Sequence, residues 1–224
     1  MSTWLMWMSL LRNCCVGGLS FMSLYDLIAA GHRGQTFNLL ARRFLITEPQ
    51  AARAVRFLLP AILPGFEAWV SSPGGLSNFL NNMSRGNYQN TLSVPGTFSN
   101  HFERDRRQQL LEIFRSAHEV DGADLARAVE GSGVGYRVLM QMLPFVALLL
   151  MGALRVKTEQ PFRAILNERL GARMKLSADP FADLGDLVAW EAKGHRPSLL
   201  ANVFEGLFGR QAARPPSRIA ANPA

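Results

Sequence analysis

Cysteine is almost absent from this chain. The 224 residues include two, and they are neighbours, Cys14 and Cys15. Adjacent cysteines cannot join distant segments, and they lack the two-residue gap that is typical of redox and zinc-binding pairs. The sequence therefore gives no sign of a disulfide framework or a cysteine metal site. We expect a reducing, cytoplasmic compartment.

Charged residues are few and scattered. They make up 18% of the chain, whereas apolar residues make up 48%. The formal net charge is +7, but Lys and Arg are dispersed rather than aligned along one stripe, so charge alone does not indicate a nucleic-acid-binding module. The high apolar fraction favours a globular chain with a sizeable core over a disordered one.

Motifs that carry catalysis or ligand binding are also missing. The glycine-rich stretch 131–135 lacks the preceding strand, the ribose-binding acid and the Gly-Lys-Ser/Thr end that nucleotide loops need. His118 stands close to Glu119, Asp121 and Asp124, but no second histidine lies one helical turn away. The four histidines, at 32, 101, 118 and 195, lie far apart and beside no nucleophile motif. We predict no enzymatic activity, no catalytic, cofactor-binding or metal-ligating residue, and no cofactor.

What the chain does have is helical periodicity. Leu, Ala and Arg outnumber strand-favouring residues, and apolar residues recur three and four positions apart. Thr47, Pro49 and Gln50 have the order of a helix N-cap, a first-turn proline and a capping-box partner. Asp179, Asp183 and Asp186 are interpreted as acids that favour a helix N-terminus. The predicted fold class is all-α.

One pattern occurs twice. Leu40-Ala41-Arg42 is followed by Leu59-Pro60, and Leu125-Ala126-Arg127 is followed at almost the same interval by Leu143-Pro144. Such a repeat is typical of two copies of one supersecondary unit that stack to bury a shared face. We predict an internally duplicated multi-helix bundle with two helix-turn-helix-like units, in which Pro60 and Pro144 occupy matching places.

Composition divides the chain into six segments. The first is an apolar extension without the basic start of a secretion signal; either translation begins at Met22, or the extension is a genuine apolar helix. The predicted segments are an N-terminal extension (1–21), a first helical unit (22–70), a Gly/Ser/Asn-rich connector with a short helix around Leu76 to Met83 (71–101), a second helical unit (102–156), C-terminal helices (157–208) and a disordered tail (209–224).

These residues resemble a known family. The Leu-Ala-Arg and Leu-Pro elements of both copies, the run Thr47-Glu48-Pro49-Gln50 and the Ser72-Pro73-Gly74-Gly75 turn are similar to the bacterial domain-of-unknown-function family 937 and, more distantly, to YidB-like proteins. The resemblance spans roughly 22–208 and implies an all-helical bacterial protein without an established activity. Leu45 replaces the glycine that is usual before the capping threonine.

Three functions are compatible with this pattern. We favour a non-catalytic interaction or scaffold module that binds an unknown protein partner or a second copy of itself. A DNA-binding helix-turn-helix regulator would present Gln50, Arg53 and Arg56 to a groove. A membrane-associated protein would use 138–154, which is long enough to span and has only Gln141 as a polar residue.

Overall fold

The protein is built from helices. A computed structural model describes residues 24–86, 88–93, 110, 122–170, 177 and 179–191. Within these residues 88% are helical and no strand occurs, which confirms the all-α prediction. The seven α-helices are α1 Leu24–Gly34, α2 Thr36–Phe44, α3 Glu48–Val70, α4 Pro73–Arg85, α5 Gly122–Ser132, α6 Tyr136–Leu170 and α7 Pro180–Glu191, and a short 3-10 helix covers Tyr88–Asn90.

Local signals set the ends of the first helices. The backbone leaves helical geometry at Gly31, His32 and Arg33, in a stretch with a glycine at each end. Thr47 caps α3: its hydroxyl accepts from the Gln50 amide, and the Gln50 side chain accepts from the Thr47 amide. This reciprocal pair confirms the predicted capping box.

Helix α3 continues through its prolines. Pro60 and Pro64 lie inside a 23-residue helix, although an internal proline removes a backbone hydrogen bond and normally kinks or ends a helix. The helix persists because one face is buried from end to end. That face comprises Ala51, Ala54, Val55, Leu58, Leu59, Ala61, Ile62, Gly65, Phe66 and Val70.

The predicted connector contains a core helix. Ser72 accepts from the Gly75 amide and so caps α4. The buried side chains of α4 recur at helical spacing and pack against α3 and α7; they are Leu76, Phe79, Leu80 and Met83. The segment 71–101 was predicted only to connect the two helical units, but its helix α4 is part of the core.

Helix α6 is longer than the sequence pattern indicated. It runs without interruption from Tyr136 to Leu170 and crosses the predicted boundary between 156 and 157. Thr158 stands just after that boundary, and its hydroxyl donates to the Leu154 carbonyl at 2.7 Å within the same helix. Residues 142–154 of α6 are all buried, so tertiary packing outweighs the break expected at Pro144.

The internal duplication stays a prediction. Both Leu-Ala-Arg stretches lie in short helices, α2 and α5, that precede the long helices α3 and α6. The two prolines differ, however, because Pro60 is exposed and Pro144 is buried. Several predictions fall outside the described residues. They concern 1–21, the start of the second unit near 102, His118 with its neighbouring acids, and the segments after 191. Leu110 is described, and it is buried.

Candidate interaction surface

The turn between α2 and α3 holds an exposed leucine in an unusual backbone conformation. Leu45 has φ 56° and ψ 41°, which is the left-handed region, and its side chain is 91% exposed. The Ile46 amide donates to the Ala41 carbonyl at 3.1 Å and closes the helix end. Glycine is the usual residue at such a position because a Cβ costs roughly 1–2 kcal/mol there. The chain keeps a large apolar side chain instead.

Aromatic contacts fix this turn to α6. The Phe44 ring meets the Phe145 ring edge-to-face, with centroids 5.2 Å apart. The Arg43 guanidinium lies 5.0 Å from the centroid of the same Phe145 ring. Leu45 is therefore exposed at a turn whose preceding side chains, Arg43 and Phe44, are packed against Phe145.

The α5–α6 turn supports the other side of the corner. Gln50 Nε2 donates to the Gly133 carbonyl at 3.1 Å, while Gln50 Oε1 remains in the capping box. Two residues before Gly133, a Cβ at Gly131 would collide with the far edge of the Phe57 ring, so this ring edge packs against that glycine. Phe57 is still 37% exposed, and Tyr136, the first residue of α6, is 57% exposed.

These contacts connect the start of α3 with the α5–α6 turn, and the exposed residues that flank them form one region. The Thr47 amide, two residues after Leu45, donates to Gln50 Oε1, and Gln50 Nε2 donates to Gly133 in the turn that leads into Tyr136. We call this region the corner surface, and it comprises Leu45, Phe57 and Tyr136 with the exposed arginines Arg42, Arg43 and Arg53. It combines protruding apolar side chains with positive charge.

The residues predicted for DNA reading are only partly available. Arg53 is exposed. Gln50 uses both ends of its amide in the contacts above, and the Arg56 guanidinium stacks 5.0 Å from the Tyr25 ring centroid. Helix α3 also packs against α5. Reading a groove with all three residues would require two of them to leave these contacts.

The apolar helix predicted as a possible membrane span lies mostly inside the protein. Among the described residues, 136–167 of α6 is long and apolar enough to cross a bilayer, and 78% of its most apolar window is buried. Helices α3 and α4 meet the same criterion only as a pair that is bent by 113°. A core helix of this composition has the same properties.

A comparison with family models decides the family. The model of a bacterial protein family of unknown function, DUF937, matches residues 26–157, which is more than half of the chain. The chain belongs to this family. The matched segment begins in α1 and ends in α6, so it is shorter than the span 22–208 that the sequence motifs suggested. Searches of the curated proteins and of the solved structures find no match.

The corner surface lies entirely within the segment that matches DUF937. The acidic set at the start of α7 lies outside it. Asp179 Oδ1 accepts from the Phe181 amide at 3.1 Å, and Asp183 Oδ2 accepts from the Ser177 amide at 2.8 Å. These two carboxylates therefore bond backbone amides at a helix start, as interpreted from the sequence. Among the described residues, no group of three or more His, Cys, Asp or Glu side chains could hold a metal ion.

Two titratable groups of the DUF937 segment are perturbed by burial. Burial lowers the pKa of His32, whose backbone amide donates to the Leu92 carbonyl at 2.5 Å. Burial raises the pKa of Glu67, which is half-buried on α3. In both cases the low-dielectric surroundings disfavour the charged form of the side chain.

Glu67→Gln should increase the free energy of unfolding at neutral pH. Because the pKa of Glu67 is raised by folding, the folded state binds more protons than the unfolded state, and this carboxyl lowers stability as pH rises past its ordinary value of 4.5. The amide has no charge to desolvate. Urea unfolding of both proteins between pH 4 and pH 8 measures the effect. The advantage of Gln should shrink toward pH 4, and a constant advantage would contradict the burial argument.

Leu45→Gly should increase the free energy of unfolding by about 1 kcal/mol. The substitution relieves the left-handed strain of a residue with a Cβ and removes a side chain that is 91% exposed and so contributes little packing. Part of the gain is lost because glycine is more flexible in the unfolded chain. Thermal unfolding measures the change. Leu45→Ala, which keeps the Cβ, is the control and should leave stability nearly unchanged.

Proposed function

We propose that this protein is a non-catalytic interaction module that works through the corner surface. The observation that carries the proposal is the exposed Leu45 in a left-handed conformation. Strained residues persist where the surrounding structure holds them, and they concentrate at sites that bind something. A leucine that costs stability and packs against little in its own chain is explained if it contacts a partner.

The surroundings of Leu45 support the same function. The corner is held by the Phe44–Phe145 contact on one side and by the Gln50–Gly133 hydrogen bond on the other. A rigid support reduces the entropy that binding costs, because few side chains need to be ordered. Phe57 and Tyr136 extend the apolar area beside Leu45.

Photo-crosslinking in the native bacterium tests this function. A benzophenone amino acid at position 45 should give discrete crosslinked products, because its side chain faces the partner. The same amino acid at Val156, which is 49% exposed on α6, is the matched control and should give none. Equal labelling from both positions, or neither a protein conjugate nor a lipid adduct from position 45, would refute the interaction surface.

The DNA-binding alternative is separated by a second measurement. Binding to duplex DNA should weaken steeply with salt, because phosphate contacts release counterions. If the interaction-module proposal is right, Arg53→Ala with Arg56→Ala lowers stability by no more than about 1 kcal/mol, since Arg53 is an exposed charge and the Arg56–Tyr25 stack is a weak contact. Salt-sensitive duplex binding that this double variant abolishes would replace the proposed function with DNA binding.

A further inference from the structure

The shape of the corner surface restricts what it can bind. Leu45 protrudes at the turn between two helices, with nine-tenths of its side chain open to solvent. A protein partner would need a matching pocket for such a tip, whereas a fluid lipid interface takes in a convex apolar side chain without one. Tyr136 adds an aromatic ring of the type that prefers the headgroup region of a bilayer.

The charges beside the tip have one prevailing sign. In the segments that flank the two turns, 42–53 and 130–137, exposed basic side chains outnumber exposed acidic ones: Arg42, Arg43, Arg53 and Arg137 against Glu48 and Glu130. Glu48 is already engaged, because its Oε2 accepts from Asn38 Nδ2 at 3.3 Å. Arginine can lie along an interface with its apolar stem in contact and its guanidinium on a phosphate. The complement of this surface is negatively charged.

These two properties point to one kind of partner. We propose that the corner surface docks the protein on anionic phospholipid, with Leu45 inserted at the interface and Arg42 and Arg53 on the headgroup phosphates. The inference rests on the proposed function and names its partner. The contact is peripheral: α6 keeps its apolar residues in the core while the corner meets the bilayer. One leucine with a few arginines gives reversible rather than permanent attachment.

Vesicle sedimentation tests the proposal with the full chain. The probes are vesicles of phosphatidylglycerol mixed equally with phosphatidylcholine, and vesicles of phosphatidylcholine alone. We expect binding to the first and not to the second, and weaker binding at 0.5 M salt because screening shortens the reach of the arginines. Leu45→Gly should lower the partition coefficient about tenfold or more. Arg42→Ala with Arg53→Ala should lower it about 25-fold, since each basic residue near an anionic surface contributes roughly fivefold.

Matched variants at other sites test whether lipid binding depends on the corner surface or only on the total charge and apolar area of the protein. Val156→Ala removes exposed apolar area elsewhere on α6, and Arg85→Ala with Arg163→Ala removes the same charge from α4 and the end of α6. Both should bind like the parent protein. Leu45→Trp, which places an interfacial aromatic ring at the tip, should bind at least as tightly as the parent.

The outcomes separate this proposal from the proposed function. Lipid binding that needs Leu45 and the two arginines supports the proposal. No binding to anionic vesicles, or binding that Leu45→Gly leaves unchanged, overturns it. If position 45 then crosslinks to a protein, the interaction module stands with a protein partner instead of a membrane. If position 45 also gives no crosslinked product, the proposed function fails with it.

Discussion

Phe79→Ala is expected to lower the free energy of unfolding by about 3–5 kcal/mol, because a buried phenylalanine leaves a large cavity. Phe79 is fully buried on α4, and its ring meets the Phe66 ring at 5.2 Å and the Trp69 ring at 5.8 Å between centroids. Both partners lie on α3. The substitution therefore removes the aromatic contact that joins the two helices as well as apolar area.

Urea unfolding followed by far-ultraviolet circular dichroism measures this loss. The control is Asn78→Ala, which changes the neighbouring exposed residue of the same helix and should shift stability by less than about 0.5 kcal/mol. A cost for Phe79→Ala below 1 kcal/mol would mean that α4 is not a core helix. The segment 71–101 would then be the connector that its composition suggested.

Arg155→Ala is expected to lower the free energy of unfolding by about 3 kcal/mol, because it removes charge-assisted hydrogen bonds from a buried site. Arg155 Nη1 donates to the Met83 carbonyl at 2.5 Å, and Nη2 lies 3.4 Å from Asp179 Oδ1. The guanidinium also lies 4.6 Å from the Phe181 ring centroid. One side chain thus joins α4, α6 and the start of α7.

Two companion variants locate the origin of that loss. Asp179→Asn keeps the oxygen that caps α7 and removes only the charge, so it should cost less than Arg155→Ala. Arg163→Ala breaks the pair with Glu159 on the same helix, where both side chains are more than a third exposed, and should cost less than about 0.5 kcal/mol. Equal losses for Arg155→Ala and Arg163→Ala would show that burial of the Arg155 site contributes nothing.

Local signals were enough to predict the helix starts. The capping box at Thr47 and the backbone break at Gly31 depend on residues within one turn, so they could be recognised from the sequence. The continuation of α6 through Pro144 and Pro161 could not, because a proline costs about 3 kcal/mol locally and only buried tertiary contacts outweigh it. The short helix around Leu76 to Met83 was predicted, but the glycines and asparagines of its segment indicated a connector, and its place in the core depends on packing against α3 and α7.

The corner surface could be predicted in part. The sequence showed that Leu45 stands where glycine is usual, but not that its side chain is exposed, which depends on how α5 and α6 pack against the turn. Arg53 was singled out as a DNA contact. Phe57 and Tyr136 were missed because they lie 79 positions apart in the sequence and are brought near one turn only by the fold. No local pattern carries that information.

Helix α6 continues without interruption past the end of the family match. A fragment that stops at residue 157, where the family match ends, would sever the helix two residues after Arg155. The guanidinium would lose Asp179 and Phe181, and the apolar face of α4 would lose the cover of α7. We therefore expect the matched segment alone to be less stable than the full chain. Residues that lie outside the family match stabilise this segment.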